Sequence, residues 1–380
     1  MRIGFLYNHD ASHQVPHTIP IAAALAKRGI DVEILTSSEA QRAVAQALIP
    51  PNVTVHFRSL RISAASRAAD HLLRHVAPFK RIAILRENLD LFRQFDALIV
   101  PETTSTLLKT RFGLTAPKLI YVPHGAGDGA AGFQPATKSF DLVLLSGRKV
   151  RGRMLALGLV TESNHAIVGY PKFDQLNLRP PARFFDNDRP TVLYNPHFNP
   201  LLSSWYSLGR KVLEWFAVQD RFNLIFAPHV MLFKRLLHTS IIHRKARLRP
   251  RLPRHLRDNA GMLIDTGSDR LIDMSYVQSA DIYLGDVSSQ IYEWIQRPRP
   301  AIFFNTHKSG WQASPDYGHW ALGEVIGGFD ALPAALDRVI AHPDAFKERQ
   351  EAAAAETFSM TDRRAGERAA DAILAFMRPA

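Results

Sequence analysis

Hydrophobic positions along the chain recur in two patterns. Short β-branched and aliphatic runs at 2–7, 32–36, 53–57, 97–100, 119–122 and 142–145 are each flanked by turn-forming residues. Stretches with helical spacing, such as 19–28 and 104–112, lie between them. Strand alternating with helix predicts a parallel, doubly wound sheet. Leu178-Arg179-Pro180-Pro181, followed by Asp186-Asn187-Asp188-Arg189-Pro190, breaks the pattern and reads as a linker. The pattern then restarts, with strands expected at 191–195, 223–227, 262–264, 282–285 and 301–305 and helices at 205–218, 270–278 and 288–296. From 344 onward the chain is rich in Ala and charge and reads as helical. The expected architecture is α/β: a domain at 1–180, a second at 188–360 and a C-terminal helix at 361–380. A ligand cleft is expected between the two domains, near the C-terminal ends of the strands.

Composition narrows this picture. The 380 residues include no Cys, which excludes a disulfide framework, a thiolate nucleophile and Cys-ligated zinc or iron–sulfur clusters. Lys, Arg or Glu interrupt every apolar stretch well before the ~18–20 residues of a membrane span. The N-terminal run is too short for a signal peptide and reads as a first strand. A cytoplasmic protein is expected. The balance of 47 Lys+Arg against 35 Asp+Glu gives a net charge of +12. That charge fits an anionic membrane surface, nucleic acid, or merely an Arg-rich proteome. No helix-turn-helix, zinc or RNA-binding signature accompanies it, so nucleic acid is not an expected partner.

Two segments concentrate the positive charge. Residues 244–257 hold seven Lys/Arg, two Pro and no acid, with no interleaved aromatics for base stacking. They read either as a solvated loop or as a clamp for a phosphate-rich acceptor or anionic headgroups, which would place the protein peripherally on the inner face of the membrane. Residues 67–86 interleave Leu72, Leu73, Val76, Phe79 and Ile82 with Arg74, Lys80 and Arg81. They read as a packed helix, with a membrane-surface helix as the alternative.

Candidate chemistry gathers at the expected strand ends. The run 119–122 leads into Pro123-His124-Gly125-Ala126-Gly127-Asp128-Gly129, 191–195 into Pro196-His197, and 223–227 into Pro228-His229. Glycines let backbone approach a ligand, and a strand-end His can serve as a general base. Three Pro-flanked histidines in this position point to a convergent site, though not with zinc-ligand spacing. His9, His13 and His17 recur every four residues, but Pro16 and Pro20 make that stretch a loop, expected to be solvated. The run 282–285 enters Asp286-Val287-Ser288-Ser289 and then a helical pattern, which reads as an N-cap and, by the same geometry, a phosphate site.

In order, these segments resemble the CDP-glycerol glycerophosphotransferase family, the teichoic-acid-type polymerases and primases of GT-B fold. His124-Gly125 matches that family's His-Gly strand end, and Gly169-Tyr170-Pro171-Lys172-Phe173-Asp174 its Gly-x-Pro-[Arg/Lys]-x-Asp element. Val192-Leu193-Tyr194-Asn195-Pro196, Pro228-His229, Asp286-Val287-Ser288-Ser289 and the strand after Arg297 follow in the family's order, over about 120–305. The chain departs from the pattern at Pro123, where the family often has Trp, and at Ala227, where it usually has Arg.

The resemblance implies two Rossmann-like domains facing across a cleft. It implies transfer of a polyol phosphate from a CDP-linked donor to a hydroxyl of a glycan or lipid-linked acceptor, releasing CMP. His124 is then the base and His229 the phosphate holder. Ser288, Ser289, Asp286 and Gly125 lie on the donor phosphates, and His197, Lys172 and Asn195 supply further contacts. No cofactor and no metal are implied. Without the polymerases' long extra N-terminal module, a single transfer is expected rather than a processive one. The alternatives are a GT-B glycosyltransferase, a UDP-sugar 2-epimerase, or a non-catalytic nucleotide-binding protein on the same fold.

Overall fold

The computed structural model describes residues 1–8, 12–73, 79–129, 132–178, 181–240 and 245–378. The chain forms two compact units. The first comprises 1–126, 130–179 and 355–380, and the second 127–129 and 180–354.

The first unit is built on seven strands: β1 (Arg2–Tyr7), β2 (Asp31–Thr36), β3 (His56–Ser59), β4 (Ala97–Val100), β5 (Lys118–Tyr121), β6 (Leu142–Leu145) and β7 (His165–Ile167). They pair in the order β3-β2-β1-β4-β5-β6-β7, all in parallel. Because β1 and β4 are neighbours, the sheet winds outward in both directions from its middle. The crevice at such a switch point is where open α/β sheets bind ligands. β4, β5 and β6 are almost wholly buried aliphatic runs, as a sheet covered on both faces requires.

The helix Ala365–Phe376 returns to this unit. It packs Ala369, Ala370 and Ile373 into the same core as Ile19, Ala22 and Leu25 of the helix Ile19–Ala26. Asp174 closes its first turn, accepting the N–H groups of Ala365 and Gly366 at 2.9 and 2.7 Å. The chain therefore leaves the second unit at 354, not at the 360 expected from sequence, and its last helix is part of the first unit's core.

The second unit carries a six-stranded parallel sheet of β8 (Thr191–Asn195), β9 (Asn223–Phe226), β12 (Met262–Ile264), β13 (Ile282–Gly285), β14 (Ala301–Phe304) and β15 (Glu324–Ile326). The order is β12-β9-β8-β13-β14-β15, with β8 beside β13 at the switch point. A separate antiparallel ribbon pairs β10 (Leu237–Ser240) with β11 (Lys245–Leu248).

Several sequence expectations shift. The strand expected at 53–57 lies at His56–Ser59. The helix expected at 104–112 is a 3-10 turn, Thr104–Thr106, followed by one helical turn, Leu107–Thr110. The helix expected at 205–218 begins at Gly209, and that expected at 288–296 spans only Gln290–Trp294. The helix expected at 270–278 is broken by Met274, whose φ of 68° lies in the left-handed region. The basic stretch 244–257 is not one loop: 245–248 is β11, and Arg254–Leu256 is a 3-10 turn. Residue 244 and the linker residues 179 and 180 lie outside the described residues.

Residues 67–86 belong to the helices Ala64–Leu73 and Phe79–Glu87, with 74–78 outside the described residues. Ile84 and Leu85 are buried in a core cluster, so the second helix packs as an ordinary core helix. Among the described residues, no helix is long and apolar enough to cross a membrane.

Candidate functional site

In the first unit, β4 and β5 are parallel neighbours, so the turns that follow them lie side by side. His124, on the turn after β5, places Nδ1 2.5 Å from the carbonyl oxygen of Pro101, just past β4. A carbonyl only accepts, so Nδ1 carries the proton and Nε2 of the neutral ring is the basic nitrogen. Burial lowers the proton affinity of His124, outweighing the Pro101 carbonyl and Glu102, which raise it. Glu102 is buried and holds the 101–105 turn, accepting the N–H groups of Thr104 and Ser105 and the Ser105 hydroxyl. His124 is thus an oriented imidazole, kept neutral near pH 7.

The 3-10 turn Ser12–His17 surrounds this ring. Gln14 brings its amide nitrogen to 3.4 Å of the imidazole, and the rings of His13 and His17 lie edge-on at 5.7 and 6.4 Å. Gln14 and His17 are buried, which corrects the solvated loop expected here; His9 lies outside the described residues. Burial first, then Lys172, His124 and His13, holds His17 far below the usual imidazole range. Lys172 is itself buried beside this group. Gly125 lines a cavity of only about 10 Å³ with Ser146 and Tyr170, too small for more than a water.

In the second unit, β8 and β13 deliver the predicted polar residues to the switch point, mostly facing inward. Asn195, 2% exposed, donates to the Ala227 carbonyl at 2.7 Å and accepts from the hydroxyls of Ser288 and Tyr283. It ties the ends of β8, β9 and β13 together. Asp286 is fully buried. Its carboxylate accepts the N–H of His197 at 2.9 Å, and the N–H and hydroxyl of Ser204 at 2.6 and 2.9 Å. It therefore anchors the 197–204 loop, and burial pushes its pKa up to about 7 despite these donors. Ser288 is buried, and besides its bond to Asn195 it accepts the N–H of Gln290 at 3.3 Å. Ser289 abuts Gly127, where a Cβ would stand 2.8 Å from the Ser289 Cβ, so only glycine fits.

The imidazoles complete this cluster. Nδ1 of His197 accepts the N–H of Asn199 at 3.0 Å, and Nδ1 of His229 accepts that of Met231 at 3.2 Å. An Nδ1 that accepts has no proton, so in both neutral rings Nε2–H is the donor. The two rings are 5.2 Å apart, with Phe198 against each. Burial, then His229 and His319, holds His197 well below the usual imidazole range.

His319 is the residue that sequence reading missed. It is 3% exposed, with Nδ1 3.5 Å from Asp128 Oδ2, an oxygen that also accepts the Tyr292 hydroxyl. Its buried Nε2 has no hydrogen-bond partner among the described residues. The adjacent Trp320 donates to the Asp286 carbonyl at 3.1 Å. Trp320 also lines a cavity of about 470 Å³ at the ends of β14 and β15 with Trp311, Asn305, Glu324, Phe346 and Arg349. Among the described residues no group of three His, Asp or Glu is arranged to hold a metal ion.

No family model matches the chain, and no curated protein does. Solved structures do. The chain is similar to S. aureus MnaA solved with UDP, at 12% identity and a TM-score of 0.62, over 99% of this chain and 97% of that one. It is similar to the UDP-GlcNAc 2-epimerase of Neisseria meningitidis bound to UDP-GlcNAc, at 11% identity, TM-score 0.58 and 99% of both chains. It is also similar to the wall teichoic acid polymerase TagF, at 13% identity, TM-score 0.59 and 99% and 89% of the two chains. At these identities the likeness establishes the fold, which is GT-B.

Proposed function

We propose that the protein is a transferase that moves glycerol phosphate, or a related polyol phosphate, from a CDP-linked donor to a hydroxyl of a cell-surface glycan or lipid-linked acceptor. The observation that carries this reading is the opposite tautomer of the histidines. His124 is bonded so that Nε2 accepts a proton, whereas His197 and His229 are bonded so that Nε2 donates one. Phosphoryl transfer needs both: a base for the attacking hydroxyl and donors for the phosphate oxygens.

In this reading the acceptor hydroxyl gives its proton to Nε2 of His124 as its oxygen bonds to the phosphorus that carries the polyol. The bond from that phosphorus to the bridging oxygen breaks, and CMP leaves with the electron pair. His197 and His229, with His319 near His197, hydrogen-bond the donor phosphates and disperse the growing charge on the leaving group. Asn195, Asp286 and Ser288 position this apparatus from beneath. The cavity lined by Trp311 and Trp320 is suited to the flat ring of the nucleotide.

A second reading has the same fold use a UDP-sugar, favoured by the UDP and UDP-GlcNAc complexes among the similar structures. A donor panel separates the two. The purified chain is incubated with CDP-glycerol, CDP-ribitol and UDP-GlcNAc plus a glycan acceptor, and CMP, UDP and epimerised sugar are measured. CMP release from a CDP-polyol is the expected result; turnover confined to UDP-GlcNAc would replace the first reading with the second.

A further inference from the structure

Exposed apolar surface and uncompensated positive charge coincide at the β10–β11 ribbon. Leu237 pairs directly with Leu248, and His238 with Arg247. Directly paired side chains share a face, and successive residues alternate between faces. One face is packed: His238 is buried with Nε2 3.0 Å from the Leu232 carbonyl oxygen, and the Arg247 guanidinium lies 5.4 Å from the Tyr206 ring. The opposite face presents Leu237 and Leu248, 51% and 64% exposed, and Leu236 beside the strand is 53% exposed. The ribbon is therefore inverted, with its histidine inside and its leucines outside. Single exposed apolar residues are ordinary, but a paired, adjacent set marks an interaction surface.

The rim of this patch is cationic. Lys234 and Arg235 are exposed next to Leu236 and Leu237 in the chain, and Arg251, Arg254 and Arg257 are exposed just beyond β11. From 221 through 257 the sequence has no Asp or Glu.

We propose that this ribbon face docks on an anionic lipid bilayer, with the leucines entering the boundary between headgroups and acyl chains and the cations meeting headgroup phosphates. A second copy of the chain is a poor fit, because a two-fold contact would set the same uncompensated cations against one another. A soluble polyanion would meet the cations but leave the leucines in water. This inference does not depend on the chemistry proposed above.

The test is co-sedimentation of the full chain with phosphatidylcholine vesicles, with and without phosphatidylglycerol. Binding is expected only to the anionic vesicles, falling as salt rises. A Leu237→Ser, Leu248→Ser variant should bind about tenfold more weakly. A Lys234→Gln, Arg235→Gln variant should lose roughly 25-fold, at about fivefold per cation. Because the substituted side chains are exposed, melting temperatures should be unchanged, which separates lost docking from lost folding. The proposal is overturned if the native chain ignores anionic vesicles, or if the leucine variant binds them as tightly. It is equally overturned if the native chain self-associates through this face, with the leucine variant monomeric and neither form binding vesicles.

Discussion

The Nδ1–H of His124 points at the carbonyl oxygen of Pro101 across 2.5 Å, one group from the turn after β5 and the other from the turn after β4. Because the strands are adjacent and parallel, backbone geometry alone orients the ring and fixes its tautomer. With a basic Nε2 and a proton affinity lowered by burial, His124 is unprotonated at neutral pH. His124→Ala is expected to lower CMP release by about 10²–10⁴-fold while leaving CDP affinity nearly intact. The base works only when neutral, so kcat/KM should decline on the acid side at a lower pH than an ordinary imidazole would give. Near-native turnover by His124→Ala with a confirmed substrate would remove it from the base role.

His197 and His229 should behave differently, since their Nε2–H groups would contact phosphate already in the ground state. His229→Ala is expected to weaken CDP binding by roughly 10–100-fold, the worth of a hydrogen bond to a charged group, and to lower turnover as well. Calorimetry with CDP reads this directly. Unchanged affinity would mean that His229 only supports Phe198 and His197.

Burial and pairing explain how far the sequence could be read. β1, β4, β6, β8, β12 and β13 are legible to the residue, because buried parallel strands are continuous apolar runs. β7, β10, β11 and β15 are not, since His165, His238, Lys245 and Glu324 interrupt runs of three or four residues and no period can be counted. The strand-end residues could be picked out, but not their orientation. Asn195, Asp286 and Ser288 have the residue types of ligand contacts, yet hydrogen-bond one another's loops. His13 and His17 were hidden because Pro16 marks a loop without telling whether that loop is buried. His319 carries no local signal, as its partner Asp128 is distant in sequence.

Asp286 makes a pH prediction of definite sign. Its pKa rises from an ordinary carboxylate value to about 7 on folding, so between about pH 4 and 7 the folded chain binds more protons than the unfolded one. This contribution to stability is fully present below the unfolded pKa and is lost as pH rises through 7. In Asp286→Asn that slope should vanish. Denaturant titrations of both chains across pH 4–8 measure the difference. Parallel stability curves would show that Asp286 ionises normally in the folded state.

His319 offers the sharpest separation of structure from function. A buried ring nitrogen without a hydrogen-bond partner costs about 1–3 kcal/mol, and such a cost is tolerated most readily where a ligand supplies the partner. Nδ1 faces Asp128, whose carboxylate also accepts the Tyr292 hydroxyl, so the ring is held in place, close enough to His197 to lower its proton affinity. His319→Phe keeps the ring's shape and its edge-on contact with Phe303, 5.9 Å between centroids, while deleting both nitrogens. If Nε2 serves the donor phosphates, this variant should melt no lower than the native chain yet bind CDP roughly 10–100-fold more weakly. The mass-action rise in melting temperature that CDP gives the native chain should shrink accordingly. A variant that melts several degrees lower and binds CDP normally would instead make His319 a structural partner of Asp128.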